Sequence, residues 1–144
     1  MTTGITDAEW EVMRIVWAQE GLTSREIIDR AQSVTNWKEG TLKSLINRLV
    51  SKNILVNKGQ KRPAEYFPSL SQSKATQEEL ADIFGRICNK KAGMAIQDLI
   101  QQASLSRADC QALIDTLETK KQTAPEEVPC QCPTGQCQCH LCQH

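Results

Sequence analysis

The chain has 144 residues, enough for one domain or two small ones, and 40% of them are hydrophobic although only six are aromatic. Its 17 basic and 17 acidic residues leave no net charge, which excludes a uniformly basic or acidic protein. The sequence starts without a basic region followed by an apolar run, and no apolar stretch approaches the ~18 residues of a membrane span. We therefore expect a cytoplasmic protein with no signal peptide and no membrane contact.

Three N-terminal helices are predicted from their capping residues. Thr6–Glu9 and Thr23–Glu26 match the capping box, in which a Thr hydroxyl caps the helix and a Glu three residues later bonds back. Asn36–Glu39 repeats the spacing with Asn at the cap. The three predicted helices span about 7–20, 24–33 and 37–52.

The third helix has the clearest pattern, because its apolar residues recur at the spacing of one helix face. They are Leu42, Leu45, Ile46, Leu49 and Val50. Asn53 is expected to end this helix in a left-handed conformation. Two strands around a basic turn at Gly59 should follow, with Pro63 near the turn. Three helices and a basic hairpin predict a winged helix-turn-helix.

Amphipathic helices return after residue 70, and each has an apolar side that we expect to pair with a second copy of the chain. Cys88 and Cys110 fall on these apolar stripes, where free cysteine packs as a small hydrophobe. The predicted fold is mainly α. Its segments are a winged helix-turn-helix at 1–70, a helical dimerisation region at 71–121, a linker at 122–129 and a cysteine-rich tail at 130–144.

Positive charge is concentrated between residues 34 and 70, which hold seven basic and two acidic side chains, a local net of +5. Arg and Lys on the third helix could contact guanine edges or phosphates, and Asn47 could read adenine. Lys58, Lys61 and Arg62 in the hairpin would lie near backbone phosphate. This pattern favours a DNA-binding helix over an ordinary solvated helix face.

The stretches "ITDAEWEVMRIVWA", "TSREIIDRAQ" and "NWKEGTLKSLINRLVSKNIL" resemble the penicillinase-repressor (BlaI/MecI) group of winged-helix repressors. The resemblance covers the first ~120 residues. It implies binding to a palindromic DNA operator as a homodimer, with dimerisation through the C-terminal helices. It also places six residues on the recognition helix, and these join Asn47, Lys61 and Arg62 in the predicted DNA-binding set: Trp37, Lys38, Thr41, Lys43, Ser44 and Arg48.

Four of the seven cysteines form two Cys-x-Cys pairs, Cys130/Cys132 and Cys137/Cys139, on either side of the sequence Pro-Thr-Gly-Gln. Residues two apart on an extended strand share a face, and Pro133 and Gly135 favour a turn, so four thiolates could meet at one point. Such a sulfur site suits zinc and equally suits Cu(I), whereas calcium and magnesium prefer oxygen.

The spacing Cys-x-Cys-x₄-Cys-x-Cys on this fold resembles the CopY-type, copper-responsive branch of the same group. That resemblance implies a repressing form loaded with Zn(II). It further implies release from DNA when Cu(I), delivered by a copper chaperone, takes the place of zinc at about two ions per chain. His140 and Cys142 are possible auxiliary ligands.

Several alternatives remain at this stage. The same architecture could respond to zinc, cadmium or silver. An antibiotic-responsive repressor of the same family is a further possibility, although those relatives are cut at an Asn-Phe bond and this sequence contains none. A protein that only buffers metal ions would not need the predicted DNA-binding helix. No nucleophile with its base and no phosphate-binding Gly loop is recognisable, so we do not expect an enzyme.

Overall fold

The computed structural model describes residues 4–58 and 62–137. They divide into two compact units, which separate after Asp82. Helices and strands follow one another as α1 Asp7–Ala18, β1 Leu22–Thr23, α2 Ser24–Val34, α3 Glu39–Ser51, β2 Leu55–Lys58, β3 Glu65–Pro68, α4 Gln72–Gly85, α5 Asn89–Gln102 and α6 Arg107–Lys121. The mainly helical fold class predicted from the sequence is confirmed.

Local capping chemistry fixes where three of the helices begin. Thr6 caps α1 and Thr23 caps α2, and in both cases the Glu at the third helical position returns the hydrogen bond. Ser106 and Asp109 form the same reciprocal pair at the start of α6. The capping boxes predicted for α1 and α2 are therefore confirmed.

The predicted Asn36 cap of α3 is wrong. The helix begins after Lys38, and Lys38 makes no side-chain capping bond. Glu39, which should have returned the capping bond, instead forms ion pairs with Arg25 of α2 and with Lys43. The Glu39 carboxylate therefore binds Arg25 of α2, where the predicted capping box would have it bond to the backbone N–H of Asn36.

The N-terminal unit packs α1, α2 and α3 around one apolar core. Its fully or nearly buried members are Val12, Met13, Val16, Leu22, Ile27, Ile28, Ala31, Leu42, Leu45, Ile46, Leu49, Ile54 and Leu55. Each helix contributes residues three or four positions apart, as expected of one apolar face per helix. Asn53 ends the α3 region with a φ of 62°, the left-handed conformation predicted for it.

A three-stranded antiparallel sheet in the order β1-β3-β2 completes this unit. β2 and β3 are the predicted hairpin, whereas the two-residue β1 was not predicted. β1 pairs Leu22 with Tyr66 and Thr23 with Glu65. Gly21 precedes it with a φ of 84°, and a Cβ there would lie 3.3 Å from the Glu65 carboxylate, so glycine suits the entry to this strand. Three helices with this small sheet form a winged helix-turn-helix.

The described part of the C-terminal unit begins at Ile83, in the last turn of α4, and contains α5, α6 and the residues that follow them as far as Cys137. Neither α5 nor α6 buries any residue. Their apolar side chains are largely exposed, with Met94 at 69%, Leu99 at 50% and Leu117 at 54%. Among the described residues, no helix has the length and apolar character needed to cross a membrane.

Candidate functional site

The outward face of α3 is polar and basic. The inward positions of the helix are buried, while five residues of the predicted DNA-binding set are exposed: Thr41, Lys43, Ser44, Asn47 and Arg48. Side chains of this kind can hydrogen-bond to base edges and phosphates. The face is therefore available to a nucleic acid along the whole length of α3.

Part of this face is held in place by ion pairs. Lys43 lies 3.3 Å from Glu39, and Arg25 of α2 pairs with both Glu39 and Asp29. The hydrogen bond from Arg25, aided by Lys43, lowers the pKa of the Glu39 carboxyl. This network links the first turn of α3 to α2, as the two helices of a helix-turn-helix require.

Trp37 and Lys38 precede α3 and differ in exposure. Lys38 is exposed, whereas Trp37 is half-buried and packs against the apolar core. In the hairpin, the ammonium of Lys58 lies 5.2 Å from the centre of the Phe67 ring, and Arg62 is exposed. Lys61 lies outside the described residues.

Lys52 directly follows α3, and its side chain bonds to residues at and near the start of α1. Its ammonium lies 2.7 and 3.0 Å from the two carboxylate oxygens of Glu9 and also donates to the backbone carbonyl of Gly4. Glu9 is fully buried. Burial alone would raise the pKa of Glu9, but hydrogen bonds from Lys52 and Thr6 outweigh it and lower that pKa. Lys52 therefore has a structural role, because it supplies the counter-charge of the buried Glu9 carboxylate.

Four cysteines of the C-terminal unit form a sulfur cluster: Cys88, Cys130, Cys132 and Cys137. Their sulfur atoms all lie within 4.8 Å of one another. Cys88 is buried and the other three are half-buried. Three of the four belong to the Cys-x-Cys pairs singled out in the sequence, and Cys139 lies outside the described residues.

The residues between the pairs turn the tail back on itself. Gly135 has a φ of 88°, a left-handed conformation that favours glycine, and the N–H of Gln136 donates to the carbonyl of Pro133. The N–H of Cys132 donates to the sulfur of Cys130 at 3.4 Å. The turn brings Cys137 to the sulfur atoms of the first pair, as the sequence pattern suggests.

Cys88 is the residue that the sequence analysis missed. The apolar stripe of α4 was extended through Ile87 and Cys88, but α4 ends at Gly85, and bonds of the tight i to i+3 type close its last turn. Cys88 is instead the residue before α5. It is buried, as predicted, but its sulfur lies 3.5 Å from that of Cys130. Gly85 was the available sequence signal, because glycine often marks the end of a helix.

The thiols of the cluster perturb one another. Cys88 makes no capping hydrogen bond of good geometry, but the nearby backbone N–H of Lys90 favours its thiolate and lowers the pKa of Cys88. Burial raises the pKa of Cys132 to about 11, and the neighbouring Cys88 and Cys137 act in the same direction. Ionisation of one thiol therefore disfavours ionisation of its neighbour, and a bound cation would relieve this repulsion between thiolates.

The donor set fits a thiophilic metal ion. Four sulfurs around zinc at about 2.3 Å would be separated by about 3.8 Å, and the distances in the cluster are close to that value. A set made only of sulfur disfavours calcium and magnesium. Cys130 takes part in a disulfide bond in this structure, so it could join such a site only after reduction.

The remaining cysteines and histidines fall into two groups. Cys110 is exposed on α6, so its predicted burial as a packing residue is wrong for the single chain. His140 and Cys142, the possible auxiliary ligands, lie outside the described residues.

A winged helix-turn-helix with a basic helix and a separate thiol cluster defines a class of regulator in which a DNA reader is joined to a metal or redox site. Residues 5–119 match the family described as penicillinase repressor. The chain therefore belongs to the penicillinase repressor family. Membership covers both the winged helix and the helices of the C-terminal unit.

Relatives of nearly full length support this assignment. The chain is 38% identical over 138 residues to a Latilactobacillus sakei protein described as an uncharacterized 16.5 kDa protein in the ptsI 3' region, which covers 96% of this chain and 94% of that one. It is 24% identical to the penicillinase repressor of Bacillus licheniformis, covering 85% and 95% of the two chains. The methicillin resistance regulatory protein MecI of Staphylococcus aureus (strain N315) is also 24% identical, covering 83% and 97%.

Two solved structures align with about half of the chain. The solution structure of the DNA-binding domain of the repressor BlaI has a TM-score of 0.47 at 27% identity, covering 51% of this chain and 90% of that one. The Bacillus licheniformis BlaI monomeric form, in complex with the blaP half-operator, has a TM-score of 0.44 at 28% identity, covering 49% and 85%.

Proposed function

We propose that this chain is a DNA-binding transcriptional repressor that acts as a homodimer and is controlled by a thiophilic metal bound to its cysteines. The observation that carries the proposal is the clustering of four sulfur atoms within 4.8 Å on a chain of a repressor family.

The DNA-binding part rests on α3. Lys43, Asn47 and Arg48 project from its exposed face, and the opposite face is buried in the core. A helix anchored in this way can enter the major groove with its polar side chains toward the bases. Lys58 and Arg62 of the hairpin would lie near phosphate and strengthen binding without reading sequence.

The homodimer rests on the helices of the C-terminal unit. Several of their apolar side chains are about half exposed, and α5 and α6 bury no residue. An exposed apolar surface of this kind usually marks an interaction site. A second copy of the chain would cover the surface and would present two recognition helices to a palindromic operator.

The metal part rests on the cysteine-rich tail. Cys130, Cys132, Cys137 and Cys139 supply thiolates, with His140 and Cys142 as possible auxiliary ligands. We propose Zn(II) as the ion of the repressing form and Cu(I), about two ions per chain, as the inducer. A copper chaperone could donate the Cu(I).

Four thiolates carry the same net charge with one Zn²⁺ as with two Cu⁺. At that stoichiometry, with all four thiols deprotonated, the exchange would not repel DNA by charge, and we propose that a change of geometry causes release. This favours a mechanism in which the tail changes the relative arrangement of the two DNA-binding domains in the dimer. The proposed role is that of a regulator of copper export or homeostasis genes, and it involves no enzymatic activity.

Fluorescence anisotropy of a labelled palindromic duplex would test the function. The half-sites should lie about one helical turn apart, and zinc-loaded protein should be titrated anaerobically with Cu(I). We expect loss of binding near two Cu(I) per chain. The variant Cys137→Ser should lose this response, whereas Cys110→Ser, which changes an exposed cysteine outside the cluster, should retain it.

The other outcomes separate the alternatives. Release by Ag(I), Cd(II) or excess Zn(II) but not by Cu(I) would assign a different inducing metal. Binding that no metal affects would favour an antibiotic-responsive repressor, the role suggested by the names of the relatives from Bacillus and Staphylococcus. Absence of DNA binding in every metal state would overturn the DNA-binding part of the proposal.

A further inference from the structure

The sulfur cluster is not confined to the tail. Cys88 lies 42 residues before Cys130, in the turn between α4 and α5, yet their sulfur atoms are only 3.5 Å apart. Cys88 is also the most buried of the four cysteines, at 7% exposure. A buried cysteine that only packs would be surrounded by apolar side chains, whereas this one faces three other sulfurs.

The distances allow all four sulfurs to bind one ion. Every pair lies within 4.8 Å, and a tetrahedral zinc site requires sulfurs about 3.8 Å apart. Shifts of about 1 Å or less would bring each pair to that spacing. The half-buried tail cysteines can make such shifts more easily than Cys88, which is fixed at the start of a helix.

The surroundings of Cys88 also suit a thiolate ligand. Lys90 and Lys91 follow it in the first turn of α5. Arg86 and Lys91 line a cleft beside Cys88 together with Gln136 and Cys137 of the tail. Lys90 also approaches Glu127, just before the tail, at 4.0 Å. Basic side chains in the turn between α4 and α5 and in the first turn of α5 therefore lie close to the cysteine-rich tail.

We propose that Cys88 is a ligand of the metal site, together with Cys130, Cys132 and Cys137, so that metal binding ties the tail to the turn between α4 and α5. The inference rests on the proposed function, because it assigns a ligand to the same metal site. It also leaves Cys139 as a fifth thiol beyond the four that zinc needs.

The consequence is a direct mechanical link. A site made only of tail residues could fill or empty without moving any helix. A site that includes Cys88 would act on the residue directly before α5, the first of the two exposed apolar helices of the C-terminal unit. Any metal that changes the number of sulfurs bound would change the position of the tail relative to that turn.

Cobalt(II) spectroscopy under anaerobic, reducing conditions can test the inference, because the thiolate-to-cobalt charge-transfer intensity reports the number of cobalt–sulfur bonds. The full-length double variant Cys139→Ser/Cys142→Ser serves as background, so that neither residue can replace a lost ligand. In that background we compare Cys88→Ser with Cys110→Ser. We expect Cys88→Ser to lower the intensity per cobalt by about a quarter, the loss of one of four sulfurs, and Cys110→Ser to leave it unchanged.

A second measurement needs no substitution and guards against misfolding. Alkylation of the unmodified chain, followed by peptide mass spectrometry, should show zinc slowing the reaction of Cys88 in parallel with Cys132 and Cys137, while Cys110 reacts at the same rate throughout. The inference is overturned if Cys88→Ser leaves the cobalt spectrum unchanged, or if zinc protects the tail cysteines but not Cys88. If the unmodified chain binds neither cobalt nor zinc, the proposed metal control itself fails.

Discussion

The contact between Glu9 and Lys52 joins α1 to the end of α3 through a buried carboxylate. Glu9 is fully buried, and the Lys52 ammonium bonds both of its carboxylate oxygens from the end of α3. Thr6 adds a backbone N–H bond through the capping box. One carboxylate therefore fixes the start of α1 and the end of α3 at once.

We expect Lys52→Ala to destabilise the protein by about 2–4 kcal/mol, because it leaves a buried carboxylate without its counter-charge. The Lys52 side chain is 35% exposed, which keeps the effect at or below the usual range for a fully buried pair. Urea unfolding followed by circular dichroism would measure it. Lys43→Ala is the matched control, since it breaks an exposed pair with Glu39 and should cost less than about 1 kcal/mol. Equal effects of the two changes would contradict this account.

At the scale of the elements, the proposed DNA binding depends on α3. Among its exposed residues, Arg48 can bond to guanine or phosphate through several N–H donors at once. It is also exposed and lies in the last turn of the helix.

We expect Arg48→Ala to weaken operator binding by about 1–3 kcal/mol. If Arg48 contacts phosphate, the slope of log affinity against log salt should also become shallower by about one. Anisotropy titrations at several salt concentrations would measure both effects. Arg14→Ala removes an exposed arginine from α1 rather than α3 and should change neither quantity by a comparable amount. Loss of affinity in Arg14→Ala alone would place the interface elsewhere.

The helices of the C-terminal unit carry a second prediction. A charge placed in an apolar contact between two copies would be buried without a partner. We therefore expect Leu99→Glu and Leu117→Glu each to raise the dimer dissociation constant at least ~30-fold, about 2 kcal/mol. Analytical ultracentrifugation would measure this. Val34→Glu is the control, because Val34 is also exposed, at 74%, but lies on α2. If all three variants remain dimers, the contact between copies lies on another surface.

The sequence predicted those elements whose determinants are local. A capping box needs only residues three apart, and the stripe of α3 repeats within one helix, so both were recognised. β1 was missed because its two residues become a strand only by pairing with Tyr66 and Glu65, more than 40 residues away. The Asn36 cap failed because Arg25, from another helix, binds Glu39.

The site was predictable to a similar extent. The two Cys-x-Cys pairs and the turn between them are local, so the tail could be proposed as a sulfur site. Cys88 could not be assigned, because its stripe was continued past Gly85, where the structure ends α4. Its approach to Cys130 depends on the fold of the whole C-terminal unit.

At the scale of the whole molecule, the apolar core and the sulfur cluster belong to different units. The apolar core that holds α1, α2 and α3 together is drawn from the N-terminal unit, with its partly buried neighbours lying between residues 5 and 66. The sulfur cluster belongs entirely to the C-terminal unit. A metal in the cluster would therefore be bound by residues of the C-terminal unit.

Removal of metal should then change DNA binding without unfolding the DNA reader. We expect a chelator to weaken operator binding of the zinc-loaded protein, because the dimer loses the arrangement that suits the palindrome, while the thermal transition of the N-terminal unit stays within about 1 °C. Anisotropy and scanning calorimetry on the same sample would measure the two quantities, and Cys137→Ser should resemble the chelated protein in both. A chelator that lowers the melting temperature of the N-terminal unit would mean that metal stabilises the DNA reader itself, and control would then act through folding rather than through the geometry of the dimer.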